Sequence, residues 1–395
     1  MSEIRTLGLL FGVHGLFLFY GITQLSISHY EADIFFNHSD PLHYLVRASC
    51  AIFGQNDWAL RLPFVFIHFA SASLLYKISK PLLKRGVDRL VSVGIYLMLP
   101  GICAAALLVN EASLVIFLTL LFIWYFQNGR QNLAFFVLIV SLGVDNSFAI
   151  LYLALFFYGI FTRNPKLFGL ALILFGLSMS IYGFDAHGKP KGYFLDTLGV
   201  YAAAFSPLVF LYYMYSMYRI LIKEKKELLW AISFVAFAFS ALLSLRQRLI
   251  LEDFIPFAVI AVPLMVRTFF NSFRVRLPRH RRWHTSVLMV VLFSLSLNFV
   301  FTIFNKPLYH MVNEADEHFV HNYHVAKELS HWLKSQDIQA LHVKDPKLAL
   351  RLKFYGIEPA QEPILKHLKL EEIEPGDFVL NYASKKIAHY RITSL

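Results

Sequence analysis

Eleven apolar runs of roughly bilayer length limit what this chain can fold into. They fall at about 7–27, 62–79, 90–108, 112–127, 132–143, 147–161, 167–182, 198–221, 228–245, 250–269 and 285–304. A helix needs about 20 apolar residues to cross the hydrocarbon core. Only helices and closed barrels satisfy their backbone groups there. Barrel strands would alternate apolar and polar residues, and these runs do not. The charged fraction is 16%, well below the roughly 25% of a soluble domain. The runs therefore predict an all-α polytopic membrane protein with about eleven transmembrane helices. Glu3 and Arg5 precede the first run and no small-residue cleavage site follows it, which reads as an uncleaved signal anchor.

A net charge of +11 would suggest nucleic acid in a soluble chain. Here the cations follow topology instead, and no nucleic-acid partner is expected. One set of connecting segments holds Lys77, Lys80, Lys84, Arg85 and Arg89; then Arg130; then Arg163 and Lys166; then Arg219, Lys223, Lys225 and Lys226; then Arg267 to Arg282. The alternate set holds only Arg47 and Arg61, Lys189 and Lys191, and Arg246 and Arg248. Lys and Arg in short loops stay cytoplasmic. This places the N-terminus in the cytoplasm. It places the loop 28–61, the turns near Glu111 and Asp145, the 183–197 loop and the Arg246 region outside. With an odd number of spans the C-terminus also lies outside.

From about Lys306 the composition changes. HNYHVAKELSHWLKSQ has helical spacing, IQALHV, PGDFVLNY and IAHYRI read as strands, and DPKLALRLKFYG reads as a capped helix. The expected organisation is a membrane domain over 1–305 and a small extracytoplasmic α/β domain over 306–395. His310, His318, His321, His324 and His331 lack ligand spacing with partner acids and are read as surface histidines. Cys50 and Cys103 form neither a disulfide framework nor a metal site.

The densest set of ionisable groups lies in the first outer loop and its flank, His29 to Pro63: Glu31, Asp33, Asp40, Asp57, Arg47 and Arg61. Charges beside membrane spans are costly and so are functional candidates. Glu31-Ala32 follows the first span, Pro41-Leu42 comes about ten residues later, and Gly54, Ala59, Arg61 and Pro63 lead into the second span. This pattern resembles the GT-C superfamily of membrane glycosyltransferases, in the branch shared by protein O-mannosyltransferases and the lipid A aminoarabinose transferase. Weaker echoes are Glu111 before the fourth run, and Arg246 and Arg248 followed by Pro256 and Pro263. Tyr30 stands where that branch commonly has an Asp, and Asp33 is the nearest aspartate.

The resemblance implies a donor sugar on a polyprenyl phosphate and an envelope lipid, glycan or protein acceptor. Such a transfer needs a carboxylate to take the acceptor's proton and cations on the departing phosphate. Glu31 and Asp33 are the two candidate bases. A helix would turn them about 200° apart, whereas an extended segment would set them on one face. Arg246 and Arg248 are candidates for the donor phosphate, with pairing to Glu252 or Asp253 as the structural alternative. Arg61 can serve the phosphate or pair with Asp57 four residues earlier, the structural role being preferred. Glu111 and Asp145 can position the acceptor or a divalent cation, or cap turns. No metal ligand set is assigned. The competing class is a non-catalytic protein that binds or translocates lipid-linked sugars. A transporter is disfavoured, because transporters set ionisable groups inside their spans and these spans hold almost none.

Overall fold

The structure, a computed structural model, describes residues 2–183, 192–312, 318–368, 374, 377–382 and 385–393. Lys189 and Lys191 lie outside the described residues. The backbone packs into two compact units. The first is Met1–His14, Phe66–Ala106 and Glu111–Phe299; the second is Gly15–Val65, Leu107–Asn110 and Val300–Leu395. The first outer loop therefore packs in the same unit as the C-terminal residues, and the division does not fall at residue 305.

Every apolar run is helical. Among the described residues four helices are long and apolar enough to cross a membrane: α1 (Ser2–Gln24), α4 (Asp57–Ser79), α10 (Pro165–Tyr182) and most of α16 (Pro278–Ile303). Three further runs are bent pairs: α5 (Gly86–Met98) with α6 (Pro100–Leu107) at 63°, α11 (Phe194–Phe205) with α12 (Pro207–Lys223) at 107°, and Leu251–Val259, which includes α14 (Ile255–Val259), with α15 (Val262–Val275) at 43°. Each break meets a proline, Pro100, Pro207 or Pro263, whose ring removes an N–H and clashes with the preceding turn. The run 198–221 is thus two helices near a right angle rather than one straight span. Ser206, at φ 72°, makes the corner. The remaining runs are the shorter helices α7 (Ala112–Gln127), α8 (Gln131–Ser141), α9 (Phe148–Thr162) and α13 (Leu228–Ser244).

Within the first unit α9 and α10 form a close hairpin. A Cβ at Gly159 would stand 2.9 Å from the backbone nitrogen of Phe168, so only glycine permits this approach. Three arginines pair with acids and gather the cation-rich segments: Arg89 with Glu3 at 2.7 Å, Arg274 with buried Asp88, and Arg267 with both Glu224 and Glu227. The first joins the N-terminus to the 85–89 turn, and the second joins that turn to the end of α15. The third binds the same helix to the α12–α13 connection. These pairs bring the start of α5, the α12–α13 connection and α15 together within this unit.

In the second unit a four-stranded sheet has the order β1 (Ala340–Val343), β2 (Glu358–His367), β4 (Lys385–Thr393), β3 (Phe378–Tyr382). β1 and β2 run parallel; β4 is antiparallel to β2 and β3. α17 (Ala326–Ser335) and α18 (Pro346–Phe354) pack on it through Leu329, Leu333, Leu348 and Leu352. β2 is absent from the sequence reading, because Pro359 and Pro363 and a largely exposed pattern hide any alternation. His318 and His324 correct the expectation of surface histidines. His318 stacks on Tyr309 at 4.0 Å between ring centres, and the His324 ring is 2.9 Å from the Tyr309 hydroxyl. Both are buried, while His310 and His331 are exposed.

Candidate functional site

The first outer loop folds as two short helices because two side chains cap them. Ser28 accepts from the Glu31 amide at 3.2 Å, and Glu31 accepts in return from the Ser28 amide at 2.9 Å; this capping box opens α2 (His29–Phe36). Asp40 accepts from the His43 amide at 2.8 Å and Pro41 occupies the first turn, opening α3 (Pro41–Phe53). Gly54, at φ 83°, ends α3. Asn56 then accepts from the Ala59 amide at 2.9 Å and starts α4, which carries Arg61 on its first turns.

The loop is helical, so Glu31 and Asp33 face different ways. Glu31 faces inward and is fully buried. Its Oε1 accepts from Arg61 Nε at 3.2 Å and from the Val109 amide at 3.0 Å. Its Oε2 accepts from Arg61 Nη2 at 2.9 Å and from the Ser28 amide. Two donors on each oxygen occupy the carboxylate's capacity. Arg61 is equally buried and also donates to the carbonyls of Leu25 and Ser26 at 3.0 and 2.9 Å. The partner of Arg61 is therefore Glu31, and the expected i, i−4 pair with Asp57 is not formed. Neither Glu31 nor Arg61 presents a surface to a ligand in this arrangement.

Asp57 turns instead to the C-terminal residues. It accepts from the Tyr355 hydroxyl at 2.7 Å and pairs with Lys327 at 3.0 Å. Tyr355 in turn accepts from the Ile27 amide, Arg351 donates to the Ile27 carbonyl at 2.9 Å, and Gln55 donates to the Phe354 carbonyl at 2.7 Å. Burial and the Asp57 carboxylate raise the Tyr355 hydroxyl well above the usual tyrosine range, so it stays a donor. The sequence reading assigned no role to Tyr355, Arg351 or Lys327. Nothing in their spacing points to the first loop; only the packing of the α17 and α18 region against that loop brings them there.

Asp33 faces outward. It accepts from Asn37 at 2.7 Å and lies 3.1 Å from His38 Nε2, whose Nδ1 is 3.0 Å from Asp40. The three side chains are each about a third exposed, at 36%, 35% and 34%. The Asn37 hydrogen bond, helped by His38, holds the Asp33 carboxyl below its usual range. The Asp40 hydrogen bond, helped by Asp33, raises the His38 imidazole. Asp33 is thus an ionised, accessible carboxylate on a short capped helix.

The other sequence candidates belong to the first unit. Arg246 and Arg248 are exposed in the turn after α13, and their side chains make no hydrogen bond or ion pair among the described residues. The pairing with Glu252 or Asp253 is not formed. Asp145 accepts from the Ser147 amide at 2.9 Å, a turn cap. Glu111 is half-buried at the start of α7. Asp253 lies within electrostatic reach of Asp145, Glu252 and Glu111. Asp253, which the sequence reading used only as a partner for the arginines, therefore lies close to Glu111 and Asp145, the two acids read as positioning an acceptor or cation. Among the described residues no three His, Cys, Asp or Glu side chains are arranged to hold a metal ion.

Apolar helices with proline-bent spans, an acid-rich first loop and a small C-terminal sheet make up a multi-pass membrane protein, and its likeness to a solved structure gives it the GT-C fold. Residues 38–184 match the sequence profile of the dolichyl-phosphate-mannose-protein mannosyltransferase family. Among solved structures, ArnT from Cupriavidus metallidurans in the apo state superposes with a TM-score of 0.59 over 99% of this chain and 98% of its own, at 11% identity. Both comparisons are with GT-C superfamily glycosyltransferases, and the resemblance read from the first loop is borne out. Comparison with curated protein sequences gave no match.

Proposed function

We propose that this chain is a GT-C glycosyltransferase that moves a sugar from a polyprenyl-phosphate donor to an envelope lipid, glycan or protein at the outer face of a bacterial inner membrane. The observation that carries the reading is Asp33. It is an accessible, ionised carboxylate on the acid-bearing loop, five residues ahead of the segment that matches the mannosyltransferase family. The charge alternation supports a cytoplasmic N-terminus and an outer first loop.

In the proposed reaction the acceptor hydroxyl oxygen forms a bond to the sugar's anomeric carbon. The bond from that carbon to the phosphate oxygen breaks, and its electron pair leaves with the polyprenyl phosphate. Asp33 takes the hydroxyl proton. His38 and Asn37 hold the carboxylate ionised and oriented. Glu31 was the other candidate base; with every lone pair engaged, it is assigned to the frame, together with Arg61. Arg246 and Arg248 keep their assignment to the donor phosphate, which two exposed guanidinium groups suit by bidentate hydrogen bonding. Glu111 and Asp145 keep a supporting role toward acceptor or cation.

The test is turnover of a radiolabelled polyprenyl-phosphate sugar by purified protein. Asp33→Asn is expected to lower kcat by about 10²- to 10⁴-fold, the usual range for a general base, with the fold retained. Full activity in Asp33→Asn removes the assignment. Alanine at Arg246 and Arg248 is expected to weaken donor-lipid binding. Tyr30 in place of the family's aspartate favours one second reading, a protein that binds or translocates lipid-linked sugar without chemistry. Donor binding without turnover by the wild type would establish that reading instead.

A further inference from the structure

A shallow groove of about 550 Å³ lies against the first turns of α16, lined by Arg281, Arg282, Thr285, Ser286 and Met289. Among the described residues neither Arg281 nor Arg282 pairs with an acid. No Asp or Glu occurs in the sequence between Asp253 and Glu314. The nearby Arg274 is committed to Asp88. Arg281 is held in place by the chain itself: its Nε donates to the Arg276 carbonyl at 2.8 Å and its Nη2 to the Arg274 carbonyl at 3.1 Å. That leaves the rest of its fork outward. The Arg282 side chain makes no hydrogen bond or ion pair among the described residues. Arg281 also lies over the Phe273 ring, 5.8 Å from its centre, and the two adjacent, exposed guanidinium groups are available to an external anion.

The same face continues as an apolar strip. Met289 is 62% exposed and Phe293 70%, with Val290 beside them. These residues recur at three- and four-residue spacing below Arg281 and Arg282, so they lie on one side of the helix. Trp283, also exposed, stands at the level of the arginines, as aromatic residues do where hydrocarbon meets water. Charge above and continuous apolar surface below match one kind of molecule.

We propose that this groove is a binding site for an anionic phospholipid, its phosphate held by Arg281 and Arg282 and an acyl chain laid along Met289, Val290 and Phe293. Arginine pairs suit phosphate by bidentate hydrogen bonding, and cations at a membrane surface attract anionic head groups. The site uses none of the first-loop acids and does not depend on the chain being an enzyme.

Native mass spectrometry of the purified protein with phosphatidylglycerol tests it. The wild type is expected to retain phosphatidylglycerol at least tenfold better than Arg281→Gln/Arg282→Gln. Arg163→Gln/Lys166→Gln, which removes the same charge from another loop, is expected to match the wild type. Thr285→Trp, which fills the groove and keeps both arginines, is expected to lose the lipid as well, and it carries the test if the double variant does not fold. Excess inorganic phosphate is expected not to displace the lipid. Equal retention by the double variant or by Thr285→Trp, equal loss in the Arg163/Lys166 control, or displacement by inorganic phosphate would each overturn the proposal.

Discussion

Arg61 and Glu31 show how one buried pair organises the acid-rich loop. Both side chains are fully buried, and each satisfies the other along with backbone groups from four positions. Removing one member of such a pair leaves an uncompensated buried charge and costs about 3–5 kcal/mol, whereas replacing both with apolar groups of similar volume is often close to neutral. Glu31→Gln is therefore expected to lower thermal stability by several degrees, and Glu31→Gln/Arg61→Met to recover most of the loss. Thermal unfolding of the detergent-solubilised variants reads this directly. A wild-type unfolding temperature in Glu31→Gln would contradict the frame role. The glutamate and arginine types were visible in the sequence, but their pairing was not. The i, i−4 offset to Asp57 suggested a local partner, and the true partner lies thirty residues away.

At the scale of the element, α2 is the part that decides how Asp33 is presented. Eight residues are too few for a helix stable in isolation. Its order comes from the capping box, the Glu31–Arg61 pair and contacts with α18, including Phe35 edge-on to Phe354 at 5.2 Å. The helical form also separates the two candidate bases, which an extended loop would have set on one face. Ser28→Ala removes the cap and is expected to cost about 1 kcal/mol. It should also speed amide exchange in residues 29–36 more than in α3. Hydrogen–deuterium exchange measures that difference, and uniform exchange across both helices would refute the local role. The sequence allowed both forms of this segment, since HYEADIFF reads equally as amphipathic helix or polar loop. The bends at Pro100, Pro207 and Pro263 were likewise marked by their prolines, although their angles were not.

At the scale of the whole molecule, the distribution of Lys and Arg sets a testable orientation. In a background with Cys50 and Cys103 replaced, Tyr44→Cys is expected to react with a membrane-impermeant maleimide in intact cells. Lys84→Cys is expected to react only after lysis. Both wild-type side chains are exposed, so access is not limited by packing. The reverse pattern would invert the topology and place the first loop, with Asp33, in the cytoplasm.

The sequence by itself determined the class of protein: eleven apolar runs without alternation leave helices in a bilayer as the physical solution, and the Glu31-to-Pro63 pattern pointed to the GT-C superfamily. These are local properties, set by hydropathy and spacing along the chain. Tertiary structure alone decided which acid is buried and which faces outward, that Tyr355, Lys327 and Arg351 close over Asp57 and the Ile27 backbone, and that Asp253 joins Glu111 and Asp145. Such partnerships join residues tens to hundreds of positions apart. Burial and hydrogen-bond saturation, which separate a framework carboxylate from an available one, arise only when those distant segments pack.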